Sequence, residues 1–269
     1  MKLEFNIRYH TEWGESVHIL MHAINANHRV KTTDLEMVSK DGLNWHLESN
    51  IYERHQHPTI ALWYSYQIER EGVGVTRREC NPVPRMVKVS NNKAYVFYDT
   101  WEDEPLHWDV DFNGPTVTVR LKSIPVAAPP FPTGHRTIIL HVKAFGLLPD
   151  ERIAVLGNIP TIGKWNVDRY VPMTLQGGDV WMLSINADMI SSFPFQYKYV
   201  IVDYQTRRMK YWEAGENRRT GVFDDSDEDK VIVLNDTPVR IQRVKTYEAV
   251  PNTETNMRNN DGEVNGILR

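Results

Sequence analysis

The sequence predicts an all-β protein, two immunoglobulin-like antiparallel β-sandwich modules in tandem. Three observations carry that prediction. Short segments alternate apolar and polar side chains with a period of two, which places every second residue on one face of a strand. No long stretch repeats apolar residues at helical spacing. Turn-forming residues, among them Asp41-Gly42, Gly177-Gly178 and Asn217, separate the segments. Strands of this kind bury their apolar faces by packing sheet against sheet.

Taken in order, the alternating segments are Lys2–Tyr9, Ser16–His22, Thr59–Glu69 and Lys93–Asp99 in the first half. Arg136–Ala144, Arg152–Gly157, Val180–Ile185, Phe195–Val202 and Val231–Leu234 follow in the second. Between them, residues 109–134 hold Gly114-Pro115, Pro125, Pro129-Pro130 and Pro132, and proline supplies no N–H for a ladder. This span reads as a linker, within which Thr116–Lys122 alternates well enough to be one more strand. The expected division is therefore a first module over 1–108, the Pro-rich span over 109–134, and a second module over 135–240. The polar tail over 241–269 is expected to be disordered.

A chain of 269 residues is long enough for two cores. With 41% hydrophobic and 25% charged residues it has the composition of a folded globular protein. A net charge of -4 supplies no broad basic field, so nucleic acid is not expected as a partner. No apolar run is long enough to cross a bilayer, so no membrane association is expected. Neither is a secretory signal visible, and the single Cys80 cannot form an internal disulfide. The expected compartment is the reducing cytoplasm. Eight Trp and twelve Tyr supply many flat amphipathic rings, which suit either a core or a neutral ligand.

The two halves carry a faint repeat. Leu62-Trp63-Tyr64-Ser65-Tyr66-Gln67-Ile68 parallels Phe195-Gln196-Tyr197-Lys198-Tyr199-Val200-Ile201, each followed by a polar turn and a basic stretch. Duplication of one sandwich accounts for both.

The most informative residues are three linked motifs of the second half: Ile162-Gly163-Lys164-Trp165-Asn166, then Phe195-Gln196-Tyr197-Lys198-Tyr199-Val200, then Tyr211-Trp212-Glu213-Ala214-Gly215-Glu216-Asn217-Arg218. At these residues the chain resembles carbohydrate-binding module family 20, the starch-binding domain, with Ile162 where that family usually has Leu. A glucose ring has an apolar C–H face and a hydroxyl rim, so an indole covers the one while polar side chains bond the other. The resemblance implies that Trp165 and Trp212 are stacking platforms, that Lys198 donates to hydroxyls, and that Asn217 both donates and accepts. Glu213 either accepts from a hydroxyl or orients its neighbours. Taken singly, a Trp in a sandwich belongs to the core; their joint context near strand ends favours exposure.

Starch-binding domains of that family often have a second site, and the loop Thr11-Glu12-Trp13-Gly14-Glu15-Ser16 resembles the one that supplies it, making Trp13 a possible second carbohydrate contact. The equivalent place in the second half is Pro149. The first half departs from the principal-site pattern, with Ser65 in the place of Lys198 and Arg78-Glu79 in the place of Trp-Glu. Trp45 and Trp63 read as structural.

Other chemistry finds little support. His55-Gln56-His57 lacks a third ligand at matching spacing, and the acidic run Asp224–Asp229 lacks the glycine and terminal glutamate of a calcium loop. Gly72-Val73-Gly74 reads as a hairpin turn. No metal, no cofactor and no catalytic residue is expected.

The expected function is binding of α-1,4-glucan, as starch, glycogen or maltooligosaccharide, without catalysis by this chain. Tandem modules with the opening Asn6-Ile7-Arg8-Tyr9-His10-Thr11-Glu12-Trp13-Gly14 look like the front of disproportionating-type 4-α-glucanotransferases of glycoside hydrolase family 77. That resemblance implies a downstream catalytic barrel to which the modules bring glucan. The alternative is a protein-interaction or dimerisation role.

Overall fold

A computed structural model describes residues 1–51, 58–80, 85–103, 108–111, 118–121, 132, 134–177, 179–223 and 229–242. The His55-Gln56-His57 triplet, residues 224–228 of the acidic run, most of the Pro-rich span and the tail beyond 242 lie outside them.

The first half forms β1 (Lys2–Arg8), β2 (Glu15–Asn25), β3 (Val30–Glu36), β4 (Val38–Ser39), β5 (Asn44–Asn50), β6 (Thr59–Arg70), β7 (Gly74–Arg78), β8 (Arg85–Lys88) and β9 (Ala94–Thr100). A hairpin of β10 (Trp108–Asp111) and β11 (Thr118–Leu121) follows, the second strand falling within the alternation at 116–122. The second half forms β12 (Thr137–Lys143), β13 (Glu151–Gly157), β14 (Val171–Pro172), β15 (Thr174–Gly177), β16 (Val180–Asn186), β17 (Gln196–Asp203), β18 (Met209–Trp212), β19 (Arg218–Arg219) and β20 (Lys230–Asp236). The predicted all-β class is what the chain adopts, with 3₁₀ turns at Pro160–Trp165 and Val167–Arg169. Among the described residues no helix is long and apolar enough to cross a membrane.

The halves share one connectivity. In the first, β3-β2-β6-β7 form a sheet with β8 also on β6; in the second, β14-β13-β17-β18 form a sheet with β19 also on β17. The other sheet of each half pairs its first strand antiparallel with a hairpin strand, β1 with β5 and β12 with β16. It also pairs that first strand parallel with the last, β1 with β9 and β12 with β20.

One feature differs from a pair of beads on a linker. β20 pairs parallel with β9, Val231 opposite Tyr95 and Val233 opposite Phe97, so the two half-sheets fuse into one of eight strands ordered β15-β16-β12-β20-β9-β1-β5-β4. The reason lies in the side chains. Val231-Ile232-Val233-Leu234 is an unbroken apolar run, as is Ile138-Ile139-Leu140, and such runs suit a strand covered on both faces.

Register shows what covers them. Tyr95, Phe97, Val231, Val233 and Ile139 share a face and pack with Val17, Ile19, Tyr64 and Tyr66 of the first half. Ile138, Leu140, Ile232 and Leu234 point the other way and pack with Ile153, Val155, Tyr197 and Tyr199 of the second. The outer sheets of the two halves thus lie on opposite faces of the shared sheet.

The seam is also polar. Asp99 accepts from Tyr64 Oη at 3.0 Å, from Tyr66 Oη at 2.5 Å and from the Asn235 amide. Lys143 donates to Glu102 at 2.7 Å, both buried. Asn235 and Lys143 come from the second half and Asp99 and Glu102 from the first, so side chains as well as backbone join the halves.

Candidate functional site

The site begins with a turn. Gly157 at the end of β13 has no Cβ, and one added there would meet Ile162 Cδ1 at 2.2 Å; its absence lets Ile162 bury completely. Ile162 pins the following residues, and Gly163, Lys164 and Trp165 all take positive φ, at 84°, 48° and 60°. Gly163 needs that freedom, since a Cβ would sit 2.4 Å from the Arg169 carbonyl oxygen. For a bulky residue such as Trp165 the left-handed region is costly, by about 1–3 kcal/mol, and such strain clusters at functional positions. It places the indole half-buried over the outer face of β13 and β17, on a small apolar layer of Ala154, Leu156, Val200 and Val202.

Trp212 ends β18 opposite Val200 of β17, on that same outer face, and is 36% exposed. The two indole centroids lie 6.2 Å apart with their planes tilted by 55°. Lys198 stands two residues before Val200, hence on the same face. Its ammonium donates to the carbonyls of Glu213 at 3.3 Å and Gly215 at 2.6 Å, so the head is held in place beside the 213–217 turn. Asn217, exposed in that turn, donates to Gln196 Oε1 at 2.9 Å. The fold therefore brings Trp165, Trp212, Lys198 and Asn217 onto one face.

Of the two roles open to Glu213, accepting from a sugar hydroxyl or orienting its neighbours, its surroundings are those of the second. It is 3% exposed, on the inward side of the strand. One oxygen accepts the Tyr199 N–H at 2.9 Å, and both accept from Arg218 at 2.8–3.1 Å. Its side chain points away from the indoles because strand alternation sends it to the face opposite Trp212. Behind it, Asp236 accepts from Tyr197 and Tyr199 at 2.7 and 2.6 Å; burial raises its carboxyl above the usual range, opposed by Arg218 and the two tyrosines. The repeat Tyr64-Ser65-Tyr66 against Tyr197-Lys198-Tyr199 is the sequence signal for this cluster, because the first half builds the same one. Glu79 accepts the Tyr66 N–H at 2.8 Å and holds Arg85 at 2.6 and 2.8 Å, beside Asp99.

Residues 137–232 match the starch binding domain. No curated protein sequence matches the chain significantly. Among solved structures it is similar to the family 20 carbohydrate-binding module of a maltotetraose-forming amylase from Pseudomonas saccharophila STB07. The identity is 14% and the TM-score 0.29, covering 36% of this chain and 98% of that one. It is also similar to a gamma-CGTase from an alkalophilic Bacillus clarkii, at 15% identity and TM-score 0.30, over 86% of this chain and 36% of that one. A third is a family CBM26 module from Eubacterium rectale in complex with maltoheptaose, at 8% identity and TM-score 0.25, over 88% and 92%. At those TM-scores the likenesses are remote. The starch binding domain match covers the strands from β12 into β20 and so includes both indoles, Lys198 and Asn217.

Trp13 lies elsewhere, in the turn before β2, where Glu15 N–H donates to the Glu12 carbonyl at 3.1 Å and Gly14 takes φ 81°. Its ring is fully exposed. Among the described residues, the first half has no indole pair on its own outer face. Arg78 stands opposite Gln67 where Trp212 stands opposite Val200, and Ser65 replaces Lys198. The turn between β2 and β3 is too short to hold a counterpart of Trp165. Trp45 is core, its Nε1 donating to the Tyr9 carbonyl at 3.1 Å.

Proposed function

We propose that this chain binds α-1,4-glucan without transforming it, and that the outer face of the second half is the principal binding surface. The observation that carries this reading is the indole pair: two rings 6.2 Å apart and tilted by 55°, on one sheet face, within the segment that matches the starch binding domain. Tilted platforms suit sugars that follow a curved path better than those of a flat chain. Lys198 supports them from a fixed position. An ammonium has three N–H donors and two backbone carbonyls occupy two of them, which leaves one for a sugar hydroxyl. Asn217 adds a neutral polar group beside it. Glu213 serves indirectly, by fixing the turn from which Lys198 takes its two carbonyl partners.

Trp13 is proposed as a second contact, because an indole this exposed, on a turn braced by its own hydrogen bond, presents a whole ring face to solvent. The wider reading, that the chain recruits glucan for a 4-α-glucanotransferase barrel, rests on the resemblance of residues 6–14 and the repeated halves.

Titration calorimetry with maltoheptaose tests the principal site. Trp165→Ala and Trp212→Ala should each weaken binding by about 2 kcal/mol, roughly 30-fold. Trp13→Ala should leave that heat largely intact while reducing retention on insoluble starch. Unchanged affinity in both principal-site variants would remove the proposed surface.

A further inference from the structure

The outer face of the first half has its own constellation at the spot where the second half packs apolar residues. Setting Tyr64 on Tyr197 places His18 on Ala154, Gln67 on Val200 and Glu69 on Val202. An apolar layer has become a polar one drawn from three adjacent strands. His18 comes from β2, Asp34 from β3, and Gln67 and Glu69 from β6. Asp34 and Glu69 sit diagonally on either side of His18, paired with Leu20 and Ser16. Diagonal neighbours on one sheet face are within reach of long side chains.

The side chains converge. His18 Nδ1 lies 3.0 Å from Asp34 Oδ1, and its Nε2 lies 3.1 Å from Ser16 Oγ and 3.7 Å from Glu69 Oε2. The Gln67 amide nitrogen bridges the two carboxylates, 2.8 Å from Asp34 Oδ2 and 3.1 Å from Glu69 Oε1. One ligand atom from each of His18, Asp34 and Glu69 lies within 4.8 Å of the others. Among the described residues neither carboxylate has a Lys or Arg at ion-pair distance. Two anionic groups thus flank one imidazole, Asp34 at Nδ1 and Glu69 at Nε2, with a neutral amide bridging them, an arrangement that a cation held on Nδ1 beside Asp34 completes.

We infer that His18, Asp34 and Glu69 form a binding site for a divalent transition-metal ion of the Zn²⁺ class. One imidazole nitrogen with two carboxylate oxygens suits Zn²⁺ or Co²⁺, whereas Ca²⁺ takes six to eight oxygens and Mg²⁺ keeps several waters. A half-turn of the Gln67 amide brings Oε1 to the bridging position as a fourth donor. Ligands of a tetrahedral Zn²⁺, at bonds of about 2.0–2.1 Å, lie roughly 3.4 Å apart. The gap from the present spacing is closed by rotation of Glu69, which has three side-chain torsions. The sequence hides this site because its ligands are spread over three strands, with none of the close spacing that marks a metal motif. Bound there, the ion cross-links β3, β2 and β6, and it is independent of the indole surface on the other half.

The test uses the full chain after chelator treatment, titrated with Zn²⁺ by calorimetry and with Co²⁺ by visible absorption, with thermal unfolding followed in parallel. The expected result is saturation at one ion per chain and a higher Tm with metal than without. His18→Ala and Glu69→Gln should each weaken binding by at least about tenfold and abolish the rise in Tm, each variant folding as judged by circular dichroism. A double variant His55→Ala/His57→Ala and the single variant His135→Ala should bind as the parent does. Absence of saturable binding, or binding that survives both His18→Ala and Glu69→Gln, overturns the site. Loss of binding in the His55/His57 variant assigns the metal to those residues instead and overturns it equally.

Discussion

Glu213 holds Arg218 through both carboxylate oxygens, at 2.8–3.1 Å, and the pair sits directly behind the strand that carries Trp212. Glu79 and Arg85 repeat that geometry in the first half, where the described residues include no indole pair on the outer face. A cluster kept in both halves, with and without the aromatic platforms, does architectural work. It ties the 213–218 turn to β17 and so aims Trp212 outward.

Replacing Glu213 with Ala leaves Arg218 with Asp236, 3.7 Å away, as its remaining carboxylate, and should cost about 3 kcal/mol, read by urea denaturation. Maltoheptaose affinity should fall with it, because Lys198 takes its carbonyl partners from residues 213 and 215. If Glu213→Ala kept full stability yet lost binding, Glu213 would be touching sugar directly and its assignment here would be wrong.

Gly163→Ala confronts a left-handed backbone and a carbonyl oxygen 2.4 Å from the new Cβ. The turn must open, moving Trp165 off its apolar seat. A loss of at least about 1 kcal/mol in stability is expected, together with most of the glucan-binding heat. Retained binding by this variant would show that the turn does not position the indole.

Two buried groups at the seam titrate in opposite senses. Burial pushes the Asp99 carboxyl up to about 6, against the pull of Arg85 and of its three hydrogen-bond donors. Burial pushes the His141 imidazole down to about 4, against the attraction of Glu102. Asp99 holds its proton better folded than unfolded, so its contribution is complete below about pH 4 and is lost as pH rises through 6. His141 does the reverse: its contribution is complete above about pH 6.5 and is lost as pH falls through 4. Each is worth on the order of 3 kcal/mol, so in the intact protein they largely offset one another. Asp99→Asn should therefore make stability climb more steeply than in the parent between pH 4 and 6.5, and His141→Gln should make it climb less. Parallel profiles for parent and both variants would refute the coupling.

Lys143→Met leaves buried Glu102 to Arg85, 3.7 Å away, and should lower stability by about 3 kcal/mol. Because this pair bridges the halves, scanning calorimetry should show parent and variant each melting in one transition that takes both halves together. Two resolved transitions in the parent would mean that the shared sheet does not couple them.

The all-β class was legible because core strands such as β1 and β6 alternate cleanly, Leu3, Phe5 and Ile7 inward and their neighbours outward. Strands β3 and β7 were not, since both are mostly exposed and carry little apolar signal to alternate. The join of β9 to β20 escaped for a different reason. An unbroken apolar run shows that both faces are covered but not which strand lies alongside. The indole pair was legible only because three short motifs, at 162–166, 195–200 and 211–218, together resemble one family pattern, although they are far apart along the chain. The two roles open to Glu213 could not be told apart because sequence order does not show which way a side chain points at a strand end, and the His18 cluster was missed because its residues match no known pattern and come from three strands.

The joining of β9 to β20 sets an order of events during synthesis. The edge of β9 that β20 will occupy stays open until residue 236 has left the ribosome, so an early-made portion of the chain waits on a late one for its last hydrogen bonds. Severing the polypeptide near residue 108 would leave that edge open permanently, and such a fragment would seek the missing strand in other molecules of its own kind.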